Sequence, residues 1–208
     1  FWNFFFKIII GVRYIGEKKL LKHQQFVMVA NHNSHADGVT LMTSVPVDRL
    51  ALTYPVAAED YFGKSKLSAF LSWFLINLLL IPRKRDEKNP KRDPIFIMDS
   101  YLKDGKSLIF FPEGSRGKAG KIQVFKKGLG YLMKENMNIP IIPVYLEGIG
   151  RVLPKGNKIM LPGITKIYFG NPIFLENESV EEIVEKAENA VHYLKNRCDN
   201  NNSSKLRD

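Results

Sequence analysis

A histidine and an aspartate, His32 and Asp37, stand five residues apart directly after a short apolar run at 26–30. On one continuous helix they would point about 140° apart and could not meet. A tight turn after His32, with a helix beginning near residue 35, could instead fold the carboxylate back onto the imidazole. The carboxylate would then fix the ring tautomer and leave the other ring nitrogen free to act as a general base. The same pair is also compatible with a structural histidine and a helix-capping aspartate.

A second histidine in this stretch, His35, opens a different chemistry. His32, His35 and Asp37 are residue types that bind zinc, and three of them close together could form a metal site. The chain has only four histidines, and those at 23 and 192 lie in ordinary helical or loop contexts. We therefore expect no bound metal, and metal analysis of the purified protein would test the alternative.

A second polar cluster follows another apolar run and consists of Glu113, Gly114, Ser115 and Arg116. Glycines let backbone N–H groups approach an anion closely. The planar guanidinium of Arg116 matches the geometry of a phosphate. Glu113 could orient Arg116 or accept a substrate hydroxyl, although a surface turn with a local ion pair is the alternative. A serine-hydrolase elbow is absent, because Glu113 occupies the position of the first glycine of G-x-S-x-G.

Two further cations are candidates for contacts to an anion. Arg83 follows an apolar run at 78–81, and Lys126 lies in the sequence Phe-Lys-Lys-Gly at 125–128. Taken alone, each of these side chains is more often an ordinary solvated surface charge.

The composition predicts a folded protein with an anionic partner. Hydrophobic residues make up 45% and charged residues 25% of the 208 positions, which is typical of a globular domain. The formal net charge of +10 favours nucleic acid, an acidic membrane surface or phosphorylated substrates. The basic residues are spread along the chain without a recognisable nucleic-acid motif, so we expect no nucleic acid. The single cysteine, Cys198, excludes an internal disulfide.

Two apolar stretches, at 1–12 and 67–81, bear on membrane contact. Both are shorter than a segment that spans a bilayer. Both are compatible with core packing or with membrane association, and the first could be an interfacial helix or the end of a longer membrane segment. Neither is followed by the cleavage site of a signal peptide. Because the chain opens with Phe1 rather than Met, we expect it to be trimmed or a fragment.

The elements that must position these residues alternate between strands and helices. Strands are expected at 26–30, 49–54, 78–81, 107–111, 139–146 and 165–169. Helices are expected at 35–44, 65–76, 94–104 and 128–135, and a last helix carries an apolar stripe from Val180 to Leu194. The helix at 94–104 has Asp93 as its cap, and the last helix has a capping box formed by Ser179 and Glu182.

This alternation predicts an α/β fold: a single domain with a mixed, largely parallel sheet flanked by helices. We expect an N-terminal apolar or interfacial segment at 1–25, the folded domain at 26–197 and a polar tail at 198–208, disordered from residue 200.

The two polar clusters resemble motifs of the glycerolipid acyltransferases, a family typified by lysophosphatidic acid acyltransferase. Asn31-His32 followed by Asp37 is similar to the NHx4D block of that family. The run from Phe111 to Arg116 resembles its FPEGTR block, with serine in place of threonine.

Two weaker blocks come in the order expected of that family. The run Ile81-Pro82-Arg83 occupies the place of the middle block, and the run at 140–144 that of the last block, so the resemblance covers roughly residues 26 to 146. The family usually has glycine near the start of the middle block and aspartate before its arginine, whereas this chain has Asn77 and Pro82.

The resemblance implies the transfer of a fatty acyl group from acyl-CoA or acyl carrier protein to the hydroxyl of a lysophospholipid, above all 1-acylglycerol 3-phosphate. It makes His32 the general base and Asp37 its orienting partner. The acceptor's phosphate and glycerol would be held by Arg83, Glu113, Gly114, Ser115, Arg116 and Lys126.

The resemblance also implies that the acyl donor is a co-substrate and that neither a cofactor nor a metal is needed. The basic surface and the apolar stretches predict association with a membrane phospholipid surface, at its cytoplasmic face. The alternatives are acylation of glycerol 3-phosphate or of another lysolipid, and a lipid-binding protein without catalytic activity.

Overall fold

The computed structural model describes residues 12–34, 36–62, 77–84, 89–118, 120–148 and 165–204. Several predictions fall wholly or partly outside these ranges: the apolar stretches at 1–12 and 67–81, the helix at 65–76, the second histidine His35 and the end of the tail at 205–208.

Within the described residues, seven strands form one sheet in the order β1-β7-β6-β2-β5-β3-β4. The strands are β1 (Val12–Ile15), β2 (Val27–Ala30), β3 (Thr53–Ala58), β4 (Leu79–Ile81), β5 (Ser107–Phe110), β6 (Ile141–Glu147) and β7 (Thr165–Phe169). The described α-helices are α1 (Asp37–Met42), α2 (Val47–Leu50), α3 (Glu59–Phe62), α4 (Pro94–Lys103), α5 (Gly128–Lys134) and α6 (Val180–Ser204). Short 3-10 helices occupy Glu17–Lys22 and Pro90–Arg92.

Both faces of the sheet are covered, and the residues of β2 show how. Val27 and Val29 belong to the core that α4, α5 and α6 cover, whereas Met28 and Ala30 belong to a second core with α1. All four side chains are completely buried. A strand that is buried on both faces needs an uninterrupted apolar run, which explains why this segment carries no polar residue.

The parallel strands bring the two polar clusters to one edge of the sheet. β2 pairs in parallel with β5 on one side and with β6 on the other, and β3 and β4 extend the parallel set beyond β5. Val29 is the register partner of Phe110, so the segments that follow β2 and β5 start side by side. Loops after the carboxyl ends of parallel strands are where α/β folds place their binding sites.

The predicted fold class, a single α/β domain with a mixed, largely parallel sheet flanked by helices, is confirmed. The antiparallel component is the pair β6 and β7, and β1 runs parallel to β7 at the far edge. In the described part of the chain, no helix is both long enough and apolar enough to cross a membrane.

The prediction of a strand at 49–54 is wrong in its boundaries. Residues 47–50 form α2, and the strand begins only at Thr53 and continues to Ala58. Arg49 is buried in this helical turn, where its guanidinium donates to the carbonyl of Leu20 at 2.7 Å and to that of His23. Proline is disfavoured inside strands, yet Pro55 is accommodated where β3 changes partner, from β5 at 53–55 to β4 at 56–58.

The predicted boundaries near both ends also differ from the structure. Val12–Ile15, assigned to an N-terminal segment by sequence, is strand β1 of the same sheet. Helix α6 continues to Ser204, so the tail predicted to begin at residue 198 is helical over its first seven positions. The reason is that Cys198, the first residue of the predicted tail, is completely buried and extends the apolar stripe of Val191 and Leu194.

Candidate active site

The imidazole of His32 is held by a buried carboxylate. His32 Nδ1 lies 2.8 Å from Asp37 Oδ2, and Asp37 is completely buried. The same oxygen accepts the backbone N–H groups of Asn33 at 2.7 Å and Ser34 at 2.8 Å. Asp37 begins helix α1, so the turn predicted after His32 is present and returns the carboxylate to the ring. With Nδ1 bonded to Asp37, Nε2 is the ring nitrogen that remains for a substrate.

Three further contacts fix the position of this histidine. Its ring stacks on Phe111, with ring centroids 4.3 Å apart and an interplanar angle of 22°. Its backbone carbonyl accepts the Gly117 N–H at 2.8 Å. The preceding residue, Asn31, is completely buried and exchanges two hydrogen bonds with the backbone of Leu146 on β6, at 3.1 and 2.8 Å. The histidine therefore sits on a rigid support drawn from three parallel strands.

Glu113 connects the second cluster to the first. Its Oε1 accepts the backbone N–H of His32 at 3.1 Å, and its Oε2 accepts from Gln123 Nε2 at 3.1 Å. Glu113 is 2% exposed, and this burial raises the pKa of its carboxyl to about 7, against the lowering effect of its hydrogen bonds to His32 and Gln123. In this structure Glu113 supports the loop that carries His32, and the predicted contact with a substrate hydroxyl stays a prediction.

The predicted cations lie around the glycine turn that follows Glu113. Arg83 Nη1 donates to the carbonyl of Gly114 at 3.1 Å. Gly114 has a φ of 71°, and a Cβ added there would lie 2.7 Å from Lys126 Nζ, so the lysine crosses directly over this glycine. Burial lowers the pKa of the Arg116 guanidinium, an effect that Asp37 opposes and Arg83 reinforces. The structure thus brings Arg83, Arg116 and Lys126 to the turn beside His32.

Arg83 has an acidic partner that the motifs did not predict. Its Nε lies 2.9 and 2.7 Å from the two carboxylate oxygens of Asp60 on α3. The family's aspartate before this arginine is replaced here by Pro82, and Asp60 supplies a carboxylate from a different element. Both side chains are about half exposed, so the pair orients Arg83 rather than contributing much stability.

A cleft of about 510 Å³ opens beside His32. One part of its wall is polar and basic, formed by His32, Arg83, Ser115, Arg116 and Lys126. The remainder is largely apolar and is formed by β3, β4, α4 and the residues next to these strands and to β5. It includes Val56, Leu78, Ile81, Ile95, Met98 and Phe111. Such a cavity suits a molecule with an anionic head and a hydrocarbon tail.

Two residues of the site carry no sequence signal that would have identified them. Asp60 and Gln123 are common polar residues outside the motifs, and their partners lie 23 and 10 residues away along the chain. The metal alternative depends on His35, which lies outside the described residues.

A family model described as Acyltransferase matches residues 11–147, which include both polar clusters and the strands that carry them. The chain belongs to this acyltransferase family. The resemblance to glycerolipid acyltransferases is therefore confirmed.

Relatives of known name agree with this membership. A chloroplastic 1-acyl-sn-glycerol-3-phosphate acyltransferase of Brassica napus is 28% identical over 153 residues, covering 71% of this chain and 40% of the relative. The alpha form of 1-acyl-sn-glycerol-3-phosphate acyltransferase from Mus musculus is 26% identical over 176 residues, covering 82% of this chain and 58% of the relative. The chain thus spans less than two thirds of the length of these acyltransferases.

The fold also matches that of a solved acyltransferase structure. The 1-acyl-sn-glycerophosphate (LPA) acyltransferase of Thermotoga maritima superimposes with a TM-score of 0.68 at 24% identity, covering 94% of this chain and 77% of that one. At this level of identity the likeness establishes the fold alone.

Proposed function

We propose that this acyltransferase moves a fatty acyl group from a thioester donor to the free hydroxyl of 1-acylglycerol 3-phosphate. The observation that carries the proposal is the cleft itself. The oriented imidazole of His32 faces a space with a basic wall and an apolar wall. The names of the relatives support the same acceptor.

The reaction needs one proton to pass from the acceptor hydroxyl to the enzyme and then from the enzyme to the leaving group. His32 Nε2 takes the proton of the acceptor hydroxyl as its oxygen attacks the thioester carbonyl. Collapse of the tetrahedral intermediate forms the ester and breaks the C–S bond, and the imidazolium returns the proton to the departing thiolate. Asp37 stabilises the imidazolium between these steps. General-base catalysis of this kind contributes about 10² to 10⁴-fold.

The acceptor's phosphate is assigned to the basic wall of the cleft. Arg116 and Lys126 line the cleft, and Arg83 is oriented there by Asp60. A guanidinium binds a phosphate with two parallel hydrogen bonds, which fixes the glycerol as well as the charge. Placing the hydroxyl correctly against His32 contributes as much to the rate as the base does, or more.

The proposal also includes the identity of the acyl donor and the location of the protein in the cell. The donor is acyl-CoA or acyl carrier protein, which brings its own activation, so the reaction as proposed uses no metal and no further cofactor. Both the acceptor and the product are lipids, and the net charge of +10 favours an anionic phospholipid surface. We place the protein at the cytoplasmic face of a membrane.

The test is acyl transfer from labelled acyl-CoA to lysophosphatidic acid in lipid vesicles. We expect phosphatidic acid from the unmutated protein and a loss of at least about 10²-fold in His32→Ala. His192→Ala is the matched control, because His192 is half exposed on α6 and makes only a loose contact of 3.9 Å with Glu188.

Several outcomes would change the assignment. Transfer to glycerol 3-phosphate or to lysophosphatidylcholine instead would change the acceptor but keep the reaction. Lysophosphatidic acid bound without transfer from acyl-CoA or acyl carrier protein would support the lipid-binding alternative. Undiminished turnover in His32→Ala would remove the proposed base.

A further inference from the structure

The side chain of Gln123 bridges two points of the turn that follows β5. Its Nε2 donates to Glu113 Oε2 at 3.1 Å and to the backbone carbonyl of Ser115 at 3.0 Å. A primary amide nitrogen carries two hydrogens, and both of its neighbours here are acceptors. The amide oxygen could not replace it, so this orientation of Gln123 is the one that satisfies both contacts.

The turn also packs directly on this amide. A Cβ added at Gly117 would lie 2.8 Å from Gln123 Nε2 and 3.2 Å from its Cγ, so the glycine is what allows the close approach. Gln123 therefore touches the turn at Glu113, Ser115 and Gly117. Arg116, which lines the basic wall of the cleft, lies between the last two of these residues.

Both ends of the same turn form hydrogen bonds with the backbone of His32. Glu113 Oε1 accepts the His32 N–H at 3.1 Å, and the Gly117 N–H donates to the His32 carbonyl at 2.8 Å. Between the two ends anchored on His32, Arg83 holds the carbonyl of Gly114 and Gln123 holds that of Ser115, the residue just before Arg116. We propose that Gln123 is a positioning residue that fixes Ser115 and Arg116 relative to His32, and so sets where the acceptor's phosphate binds. This inference rests on the proposed function.

The kinetic test compares Gln123→Leu with the unmutated protein. Leucine keeps most of the volume of glutamine but loses both hydrogen bonds. We expect the KM for lysophosphatidic acid to rise about tenfold, which is the effect of two neutral or charge-assisted hydrogen bonds. The KM for acyl-CoA should change less than about twofold, because the substituted contacts lie on the acceptor's side of the proposed site.

Gln25→Leu is the matched control for lost stability. Gln25 Nε2 also donates to two acceptors, the carbonyls of Leu102 at 2.6 Å and Lys106 at 2.9 Å, just before β2 at the opposite edge of the sheet. The variant Gln25→Leu should leave the KM for lysophosphatidic acid and the KM for acyl-CoA unchanged. An equal rise in the acceptor KM in Gln25→Leu would overturn the proposal, because a general loss of stability would then explain the effect.

Gln123→Met separates hydrogen bonding from shape. Methionine has nearly the length and shape of glutamine but carries no N–H group to donate to either acceptor, so we expect the same rise in the acceptor KM. An unchanged KM in this variant would mean that Gln123 only fills space under Gly117, which is contrary to the proposal.

Hydrogen–deuterium exchange of the unliganded protein tests the positioning without any turnover. The Gly117 N–H, bonded to His32, should exchange about tenfold faster in Gln123→Leu and at the unmutated rate in Gln25→Leu. Unchanged exchange in Gln123→Leu would refute the role of this residue. Absence of acyl transfer by the unmutated protein would instead count against the proposed function alone.

Discussion

At the scale of single residues, Glu113 is a buried carboxyl whose ionisation the fold opposes. The residue is 2% exposed, and its carboxyl accepts hydrogen bonds from His32 and Gln123. Burial raises the pKa from 4.5 to about 7, and the nearby carboxylate of Asp37 adds to the shift. Because this raised pKa exists only in the folded protein, the ionisation of Glu113 is coupled to folding.

Glu113→Gln should therefore reduce the pH dependence of stability. A carboxyl with a raised folded pKa binds its proton more tightly when folded, so its stabilising contribution is full below pH 4.5 and is lost as the pH rises through about 7. The loss amounts to about 3 kcal/mol. Free energies of unfolding from urea titrations should fall with rising pH in the unmutated protein and fall less steeply in Glu113→Gln.

The control for this measurement is Glu185→Gln, which replaces an exposed glutamate on α6. It should retain the slope of the unmutated protein. Only slopes are compared, since the new amide at position 113 faces the amide of Gln123 and lowers stability at every pH. Identical slopes for Glu113→Gln and the unmutated protein would contradict the raised pKa.

The sequence predicts side chains that meet locally better than those that meet across the fold. His32 and Asp37 are five residues apart, and one turn brings them together, so their spacing was sufficient. Glu113 was predicted as part of the site, but its bond to His32 joins residues 81 apart and depends on β2 and β5 being neighbours. Gln123 and Asp60 could not be predicted, because only the packed fold gives them their partners.

At the scale of elements, local capping signals were reliable. Asp93 Oδ1 accepts the N–H groups of Ile95 and Phe96 at the start of α4, and Ser179 and Glu182 make the reciprocal bonds of a capping box before α6. Such signals act within one turn and need no tertiary context. The boundary of β3 was missed because the buried Arg49 holds a helical turn through carbonyls near residues 20 and 23.

Gly130 packs helix α5 tightly against Val180 at the start of α6. A Cβ added there would lie 2.2 Å from the carbonyl oxygen of Val180 and 2.8 Å from its Cγ1. Gly130→Ala should therefore destabilise the protein by about 1–3 kcal/mol, as overpacking does. This would outweigh the gain of about 1 kcal/mol that alanine brings to a helix interior. Thermal or urea unfolding would measure the change.

Gly128→Ala, at the start of the same helix, is the matched control. Its added Cβ would lie 3.7 Å from Ile95 Cδ1, which is an ordinary contact. We expect this variant to be as stable as the unmutated protein or slightly more stable. Equal unfolding midpoints for the two alanine variants would show that the α5–α6 approach relaxes without cost.

At the scale of the whole molecule, the order of the strands is what assembles the site. Alternating strands and helices predicted a largely parallel sheet, but not that β5 would insert between β2 and β3. Nor did they predict that β1 would pair with β7, which joins residues 12 and 165. Such pairings are set by packing over long sequence separations. The same order places both polar clusters, and the basic wall of the cleft, at one edge of the sheet.

If that edge faces the membrane, as the proposed lipid substrates would require, its exposed lysines should dominate binding to anionic vesicles. Lys118 and Lys121 are exposed and directly follow the turn at the cleft. Lys103 and Lys134 are also exposed, but each ends a helix whose first residue, Pro94 or Gly128, lines the cleft. Helices of these lengths carry the second pair about 10–15 Å away from the cleft edge.

Replacing Lys118 and Lys121 together by glutamine should therefore weaken binding to phosphatidylglycerol-containing vesicles more than the same replacement of Lys103 and Lys134. Both double variants lose the same net charge, so the difference measures orientation and not overall attraction. Each lysine near an anionic surface contributes about 1 kcal/mol, and the difference should shrink in about 1 M salt, where the Debye length is about 3 Å. Co-sedimentation with anionic and with neutral vesicles gives the binding constants. Equal losses of vesicle binding in the two double variants would mean that the positive charge attracts the membrane without orienting the protein. The proposed orientation of the cleft toward the membrane would then be wrong.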